Sequence, residues 1–165
     1  MIKVRKAVSG DAEKIVNVMT DAEQSGFMLF APQERAVNPE KFAKYIDAIH
    51  SNAKSGIFIA YEGEQIVGYL IVQNEKPQRI AHRAYVVIGI HSNWRGQGVG
   101  KALFTYVIAW AKQVGLHRLD LTVIASNDVA VHLYKKMGFE IEGVKRHSLL
   151  IDNDFVDEYY MSLLL

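Results

Sequence analysis

Apolar and basic positions alternate from Ile2 to Arg5, the pattern of a short half-buried strand. The period then becomes helical: Ile15, Val16, Val18 and Met19 fall on one side, behind Ser9 or Asp11 as a helix cap. Residues 27–37 keep neither period and read as a loop. A second helix is predicted from Pro39, a favourable first-turn residue, with Phe42, Tyr45, Ile46 and Ile49 at helical spacing. The β-rich runs 57–61 and 66–72 flank Glu62-Gly63-Glu64-Gln65 and predict an antiparallel hairpin. The apolar run 85–90 is a central strand. Leu103, Val107, Ala111 and Val114 then repeat at helical spacing, and Gly115 is a stop signal. A strand over 119–124 follows, so this strand, helix and strand form a right-handed parallel crossover. A short helix over 128–137 ends at Gly138, and strands over 139–144 and 155–161 close the order β-α-α-β-β-β-α-β-α-β-β.

No repeat, low-complexity tract or long linker interrupts this pattern, and Pro32, Pro39 and Pro77 fall at loops. One domain over residues 1–165 is expected, long enough to bury a core without metal or disulfide. Nineteen basic and eighteen acidic residues give a formal charge of +1, which argues against a broad nucleic-acid surface. Any anion site must be local. The absence of cysteine suits a reducing compartment and excludes a cysteine acyl-enzyme. With neither a leader-like N-terminus nor an apolar run of about 18 residues, a cytoplasmic, non-membrane protein is expected.

The chemistry concentrates at Trp94-Arg95-Gly96-Gln97-Gly98-Val99-Gly100-Lys101, between the central strand and the next helix. Glycines there admit positive φ and a close backbone approach, and the helix start offers unpaired N–H groups with a positive dipole end. Such a turn cradles phosphate. A nucleotide-hydrolase loop, G-x-x-x-x-G-K-S/T, is excluded by length and by Ala102 where a magnesium-binding hydroxyl is needed. The dinucleotide fingerprint G-x-G-x-x-G meets Lys101 at its third glycine, although Asp120 imitates the ribose-binding acid about 20 residues on. A weak reading as an NAD-binding oxidoreductase therefore stays open.

Arg95, Gly98 and Gly100 also fit Arg/Gln-x-x-Gly-x-Gly/Ala, and Asn127, Ala130, Leu133, Tyr134, Gly138 and Phe139 fit N-x-x-A-x-x-L-Y-x-x-x-G-F. In this order and separation the two motifs resemble the GNAT family of N-acetyltransferases. The resemblance is specific over residues 85–139 and follows the element order of the whole chain. It implies an α/β, single-domain acyl-CoA N-acyltransferase fold: a mixed, mostly antiparallel sheet of about seven strands, about four helices and a splayed parallel strand pair. It further implies acetyl-CoA as cosubstrate and no metal. Pantetheine would run along Ile88, Gly89 and Ile90, pairing with backbone as an added strand does. The diphosphate would lie on Arg95, Gly96, Gln97, Gly98, Val99, Gly100 and Lys101, with Asn127 and Ala130 facing the pantetheine arm. Asn127 also reads as a helix cap, and Lys135 and Lys136 as solvated or phosphate-facing.

By the same resemblance Tyr134 is the catalytic residue, its hydroxyl aimed at the thioester sulfur. Full proton transfer from a tyrosine near ~10 to a thiolate near ~8.5 is uphill by roughly 2 kcal/mol, so hydrogen bonding to the developing charge is the role expected. The amine must also lose a proton, and residues 82–90 contain no carboxylate. Glu34, on the loop where the family builds acceptor pockets, is the substitute; its bland reading is a solvated carboxylate beside Arg35. His82 and His91 flank the strand as alternative shuttles. Phe27, Met28, Leu29 and Phe30 suit an acceptor with an apolar portion, and Asp152-Asn153-Asp154 reads chiefly as a hairpin turn. The expected reaction is acetyl transfer to a primary amine, small or on a protein, in a ternary complex. The competing class is an acyl-CoA-binding sensor or interaction module without turnover. A homodimer is a family expectation.

Overall fold

The structure is a computed structural model that describes residues 1–165. Its elements are β1 (Lys3–Lys6), α1 (Ala12–Glu23), α2 (Pro39–His50), β2 (Gly56–Glu62), β3 (Gln65–Asn74), β4 (Arg83–Ile90), α3 (Val99–Gln113), β5 (Arg118–Ile124), α4 (Asp128–Lys136), β6 (Glu140–Ile151) and β7 (Asp154–Leu164). The sheet has seven strands in the order β1-β2-β3-β4-β5-β7-β6, and only β4 and β5 run parallel.

Alternation along the strands divides the interior into two cores. Ala84 and Val86, with Ile88 and Ile90 half-buried beside them, face Leu103, Phe104 and Val107 of α3 and Val131 and Tyr134 of α4. On the opposite side Tyr69 and Ile71 of β3 and Val87 of β4 face Ile15 and Met19 of α1 and Phe42 and Ile46 of α2. A two-residue side-chain period in β4 thus gives each residue one of two chemically different neighbourhoods.

The predicted order and types of these elements are reproduced; the differences are local. Neither Ser9 nor Asp11 caps α1 through its side chain. Residues Ser9–Asp11 form a 3-10 turn instead, and the Asp11 carboxylate folds back on Val8 N–H (2.8 Å) and on Arg5 through a two-point contact of 2.7 and 2.9 Å. Asn38 caps α2, its Oδ1 accepting from the N–H groups of Glu40 and Lys41. The last two strands are longer than expected and join at Asp152 and Asn153, whose φ values of 49° and 66° make a tight hairpin turn. No helix is long and apolar enough to cross a membrane.

One feature of the sheet positions the candidate site. The strands β4 and β5 pair only at Arg83↔Arg118, Ala84↔Leu119 and Tyr85↔Asp120, and a 2.8 Å hydrogen bond between Tyr85 and Thr122 hydroxyls closes the paired end. Beyond it β4 continues on β3 as far as Ile90, and β5 continues on β7 as far as Ile124. The second half of β4 therefore has one backbone edge without a strand partner, at the centre of the sheet. The splay that periodicity could not show is present.

Candidate active site

At the open end of β4 the chain passes through a 3-10 turn, Ser92–Trp94, into the glycine loop. Gly96 and Gly98 have φ of 71° and 83°, and a Cβ at either would meet nothing within 4 Å. They are glycines for backbone conformation rather than for space. The N–H groups of Gly96, Gln97, Gly98, Val99, Gly100 and Lys101 donate to no backbone acceptor, and the first such bond of α3 is Ala102 N–H to Gly98 O at 3.0 Å. The Gln97 side chain turns back to Asn93 O (2.8 Å), and the Arg95 and Lys101 side chains are exposed. An anion held there would find oriented amides, a helix dipole and two exposed cations.

Two other glycines set spacing. A Cβ on Gly100 would lie 2.6 Å from Leu133 Cδ2, so a side chain there would force Leu133 to shift where α3 approaches α4. A Cβ on Gly68 would lie 2.8 Å from Val99 Cγ1, and Val99 is fully buried. Strand β3 and helix α4 thus clamp the loop from two sides.

The approach to α4 places Tyr134. Its ring packs edge-on to Phe104 (centroids 5.8 Å apart) and against Phe139 (6.0 Å). Burial, with a smaller contribution from Tyr85, pushes its pKa well above the ordinary tyrosine value, so the hydroxyl stays protonated and acts as a donor. Asn127 caps α4 by accepting from Ala130 N–H at 3.3 Å, and Ala130 packs against the core.

On the other face of β4 the structure assembles residues that sequence reading did not single out. A Cβ on Gly89 would fall 2.4–2.6 Å from the ring and hydroxyl of Tyr69, so the space left by Gly89 is filled by tyrosine. Glu23, in the last turn of α1, is 3% exposed and accepts from Arg35 Nε at 2.7 Å. The Arg35 guanidinium also covers the Phe30 ring at 4.0 Å. Burial raises the Tyr69 pKa, with Arg35 and Glu23 acting on it in opposite directions. Asp21 ties the same turn of α1 to the end of β4, accepting from Ser92 N–H (2.6 Å) and Ser92 Oγ (2.8 Å), with His91 Nε2 at 3.7 Å.

The remaining candidates separate in space. Glu34 is exposed and accepts from Ala31 N–H at 3.0 Å; it is not paired with Arg35, whose partner is Glu23. His82 precedes β4 at the closed end of the gap, about 23 Å of strand from Gly89 at about 3.3 Å per residue. Asp120, the imitation ribose acid, is bound by Arg118 at 2.6 Å. Lys135 and Lys136 are exposed, and the Asp152-Asn153-Asp154 turn sits at the tip of the last hairpin.

Residues 20–139 match the model of the acetyltransferase (GNAT) family. The chain belongs to the GNAT family. Its glycine loop and gap lie within the matched span. Among GNAT relatives, the L-amino acid N-acetyltransferase AaaT of Escherichia coli (strain K12) is 36% identical over 98 residues, covering 59% of this chain and 60% of that protein. An uncharacterized N-acetyltransferase of Mycobacterium tuberculosis is 31% identical over 156 residues, covering 84% of this chain and 96% of its own. A GNAT acetyltransferase structure from Streptococcus pneumoniae aligns with a TM-score of 0.93 at 26% identity, covering 100% of this chain and 99% of that one. The fold is also that of YncA from Salmonella typhimurium, solved with its cofactor acetyl-CoA (TM-score 0.89, 17% identity, 99% and 94% covered).

Proposed function

We propose that this GNAT chain transfers the acetyl group of acetyl-CoA to a primary amine by direct attack within a ternary complex. The observation that carries the reading is a row of unpaired amides at the start of α3, continuous with the open backbone edge of β4. The amides suit a diphosphate, and the edge suits the amides of a pantetheine arm. Acetyl-CoA would supply the activated thioester. The N–H groups of the glycine loop would hold the diphosphate, with Arg95 and Lys101 adding charge. Ile88, Gly89 and Ile90 would align the arm, with a strand N–H near Ile88 donating to the carbonyl oxygen as it gains charge. Asn127 and Ala130 border the arm from α4.

Tyr134 donates a hydrogen bond to the departing sulfur. Its raised pKa suits that role better than complete proton release. Glu34, exposed on the 27–37 loop, takes the acceptor's proton on its way to solvent, directly or through water. Exposed Phe27 and Leu29 beside it favour an acceptor with an apolar portion. A cytoplasmic setting fits this chemistry. A homodimer formed through the last hairpin fits the exposed Val144, Leu150 and Phe155 on the edge pair β6 and β7.

The test is release of free thiol from acetyl-CoA with a panel of amines, L-amino acids first because AaaT is named for them. Amine-dependent release with an acetylated product supports the reading. Saturable acetyl-CoA binding without amine-dependent release across the panel turns it into the sensor reading.

A further inference from the structure

Glu23 is a carboxylate in the interior whose only ion-pair contact joins one guanidinium N–H, Arg35 Nε, to one oxygen, Oε1. Its second oxygen accepts no hydrogen bond, and neither does the Tyr69 hydroxyl make one. Yet no side-chain nitrogen or oxygen is fully enclosed without a partner. Both atoms therefore keep a sliver of accessible surface. That surface lies beside Gly89, since the Tyr69 ring occupies the position of a Gly89 Cβ. It is on the face of β4 opposite α3 and α4, next to the stretch of strand that lacks a β5 partner. The 27–37 loop reaches Glu23 on that face through Arg35.

We propose that Glu23 receives the acceptor's ammonium group through Oε2 and removes its proton, with Arg35 as the positioning residue that fixes the carboxylate. The inference rests on the acetyltransferase reading above. An ammonium ion cannot attack a carbonyl because its nitrogen pair is used. Transfer of one proton to Glu23 frees that pair, the nitrogen–carbon bond forms and the carbonyl π pair moves to oxygen. Collapse breaks the carbon–sulfur bond, sulfur leaves with its electron pair, and the second nitrogen proton ends on the thiol. The products are the amide, free coenzyme A and a proton that leaves Glu23 for solvent, with Glu34 at the mouth of the same loop.

The groups facing Glu23 are Arg35 from the loop and Tyr69 from β3; β4 presents Val87 and Gly89, and α2 presents Phe42 and Ile46 to this core. The Asp21–His91 contact lies at the end of β4. Tyr69 has a raised pKa and stays neutral, so the local charges are those of the Glu23–Arg35 pair.

The test compares wild type, Glu23→Gln and Glu23→Asp with the best amine of the panel across pH, and with an aminooxy analogue whose nitrogen is neutral at every assay pH. The glutamine carbonyl can still accept from Arg35, and the aspartate variant provides a second reading if the amide variant does not fold. Glu23→Gln is expected to lose about 100-fold or more in kcat/KM near neutral pH. The loss should narrow as pH approaches the amine's own pKa, be small with the aminooxy acceptor, and leave acetyl-CoA affinity unchanged. A loss equal at every pH and for both acceptors, or none at all, overturns the assignment while leaving the acetyltransferase reading intact. A wild type that transfers acetyl to no amine removes both.

Discussion

Removing the hydroxyl of Tyr134 while keeping its ring separates packing from chemistry, because the contacts with Phe104 and Phe139 are made by the ring. Tyr134→Phe is expected to lower kcat by about 10- to 100-fold, the loss of one hydrogen bond to developing charge, worth roughly 1.5 to 3 kcal/mol. Acetyl-CoA affinity, measured by calorimetry, should hardly move, since the thiolate exists only as the bond breaks. A second residue-scale expectation concerns Asp11, held below the usual carboxylate range chiefly by Arg5 and also by Val8 N–H, against the opposing effect of burial. A depressed folded pKa stabilises above the unfolded value, near ~3.9, and that stabilisation is lost as pH falls through the folded value. Asp11→Asn should therefore destabilise by about 2 kcal/mol at neutral pH in urea titration, with the difference shrinking below about pH 4. Glu23 shows what residue-level reading missed. A carboxylate near a helix end looks solvated, yet Glu23 stands four residues after Met19 and eight after Ile15, on the apolar stripe of α1. That coincidence of charge and stripe was the available signal.

The glycine loop is an element whose backbone carries its function. At Gly98, where φ is 83° and the Cβ position is open, Gly98→Asp introduces left-handed strain of about 1–2 kcal/mol and a negative charge among the amides. A folded variant with acetyl-CoA binding reduced below detection in calorimetry is expected; undiminished affinity would remove the cradle. Elements of this kind were legible because their residue types are conformational requirements: positive φ asks for glycine, and an apolar period asks for a helix face or a strand. The parallel crossover, hairpin and α4 follow from such rules. Past residue 144 the strand pattern of β6 is hidden by a register shift between Lys145 and Leu149, with His147 at φ 50°, so side-chain alternation breaks where the backbone pairing does not end. Asp11 does stand at the N-cap of α1, but its carboxylate is engaged by Arg5, a contact between elements rather than within one. The gap between β4 and β5 depends on where pairing stops, which no local pattern encodes.

At the scale of the molecule, β1 and β6 are the sheet's two edges, and they differ. The β1 edge is a four-residue strand with basic side chains, protection enough against further pairing. The β6 edge belongs to a long hairpin with Leu150 and Phe155 each 62% exposed at adjacent positions. Replacing both by lysine is expected to convert the proposed dimer to monomer in sedimentation, with unfolding temperature compared at equal protein concentration. The three-pair seam between β4 and β5 has a mechanical meaning as well. Each half of the sheet is broad, but the backbone joins them at one end like a clothes-peg, and an elongated ligand lying in the opening would brace both jaws at once. Deuterium uptake at the backbone amides of residues 86–90 and 121–124 should then slow together when acetyl-CoA is added. The cosubstrate would act as a temporary eighth strand, completing a sheet that the chain leaves open by itself.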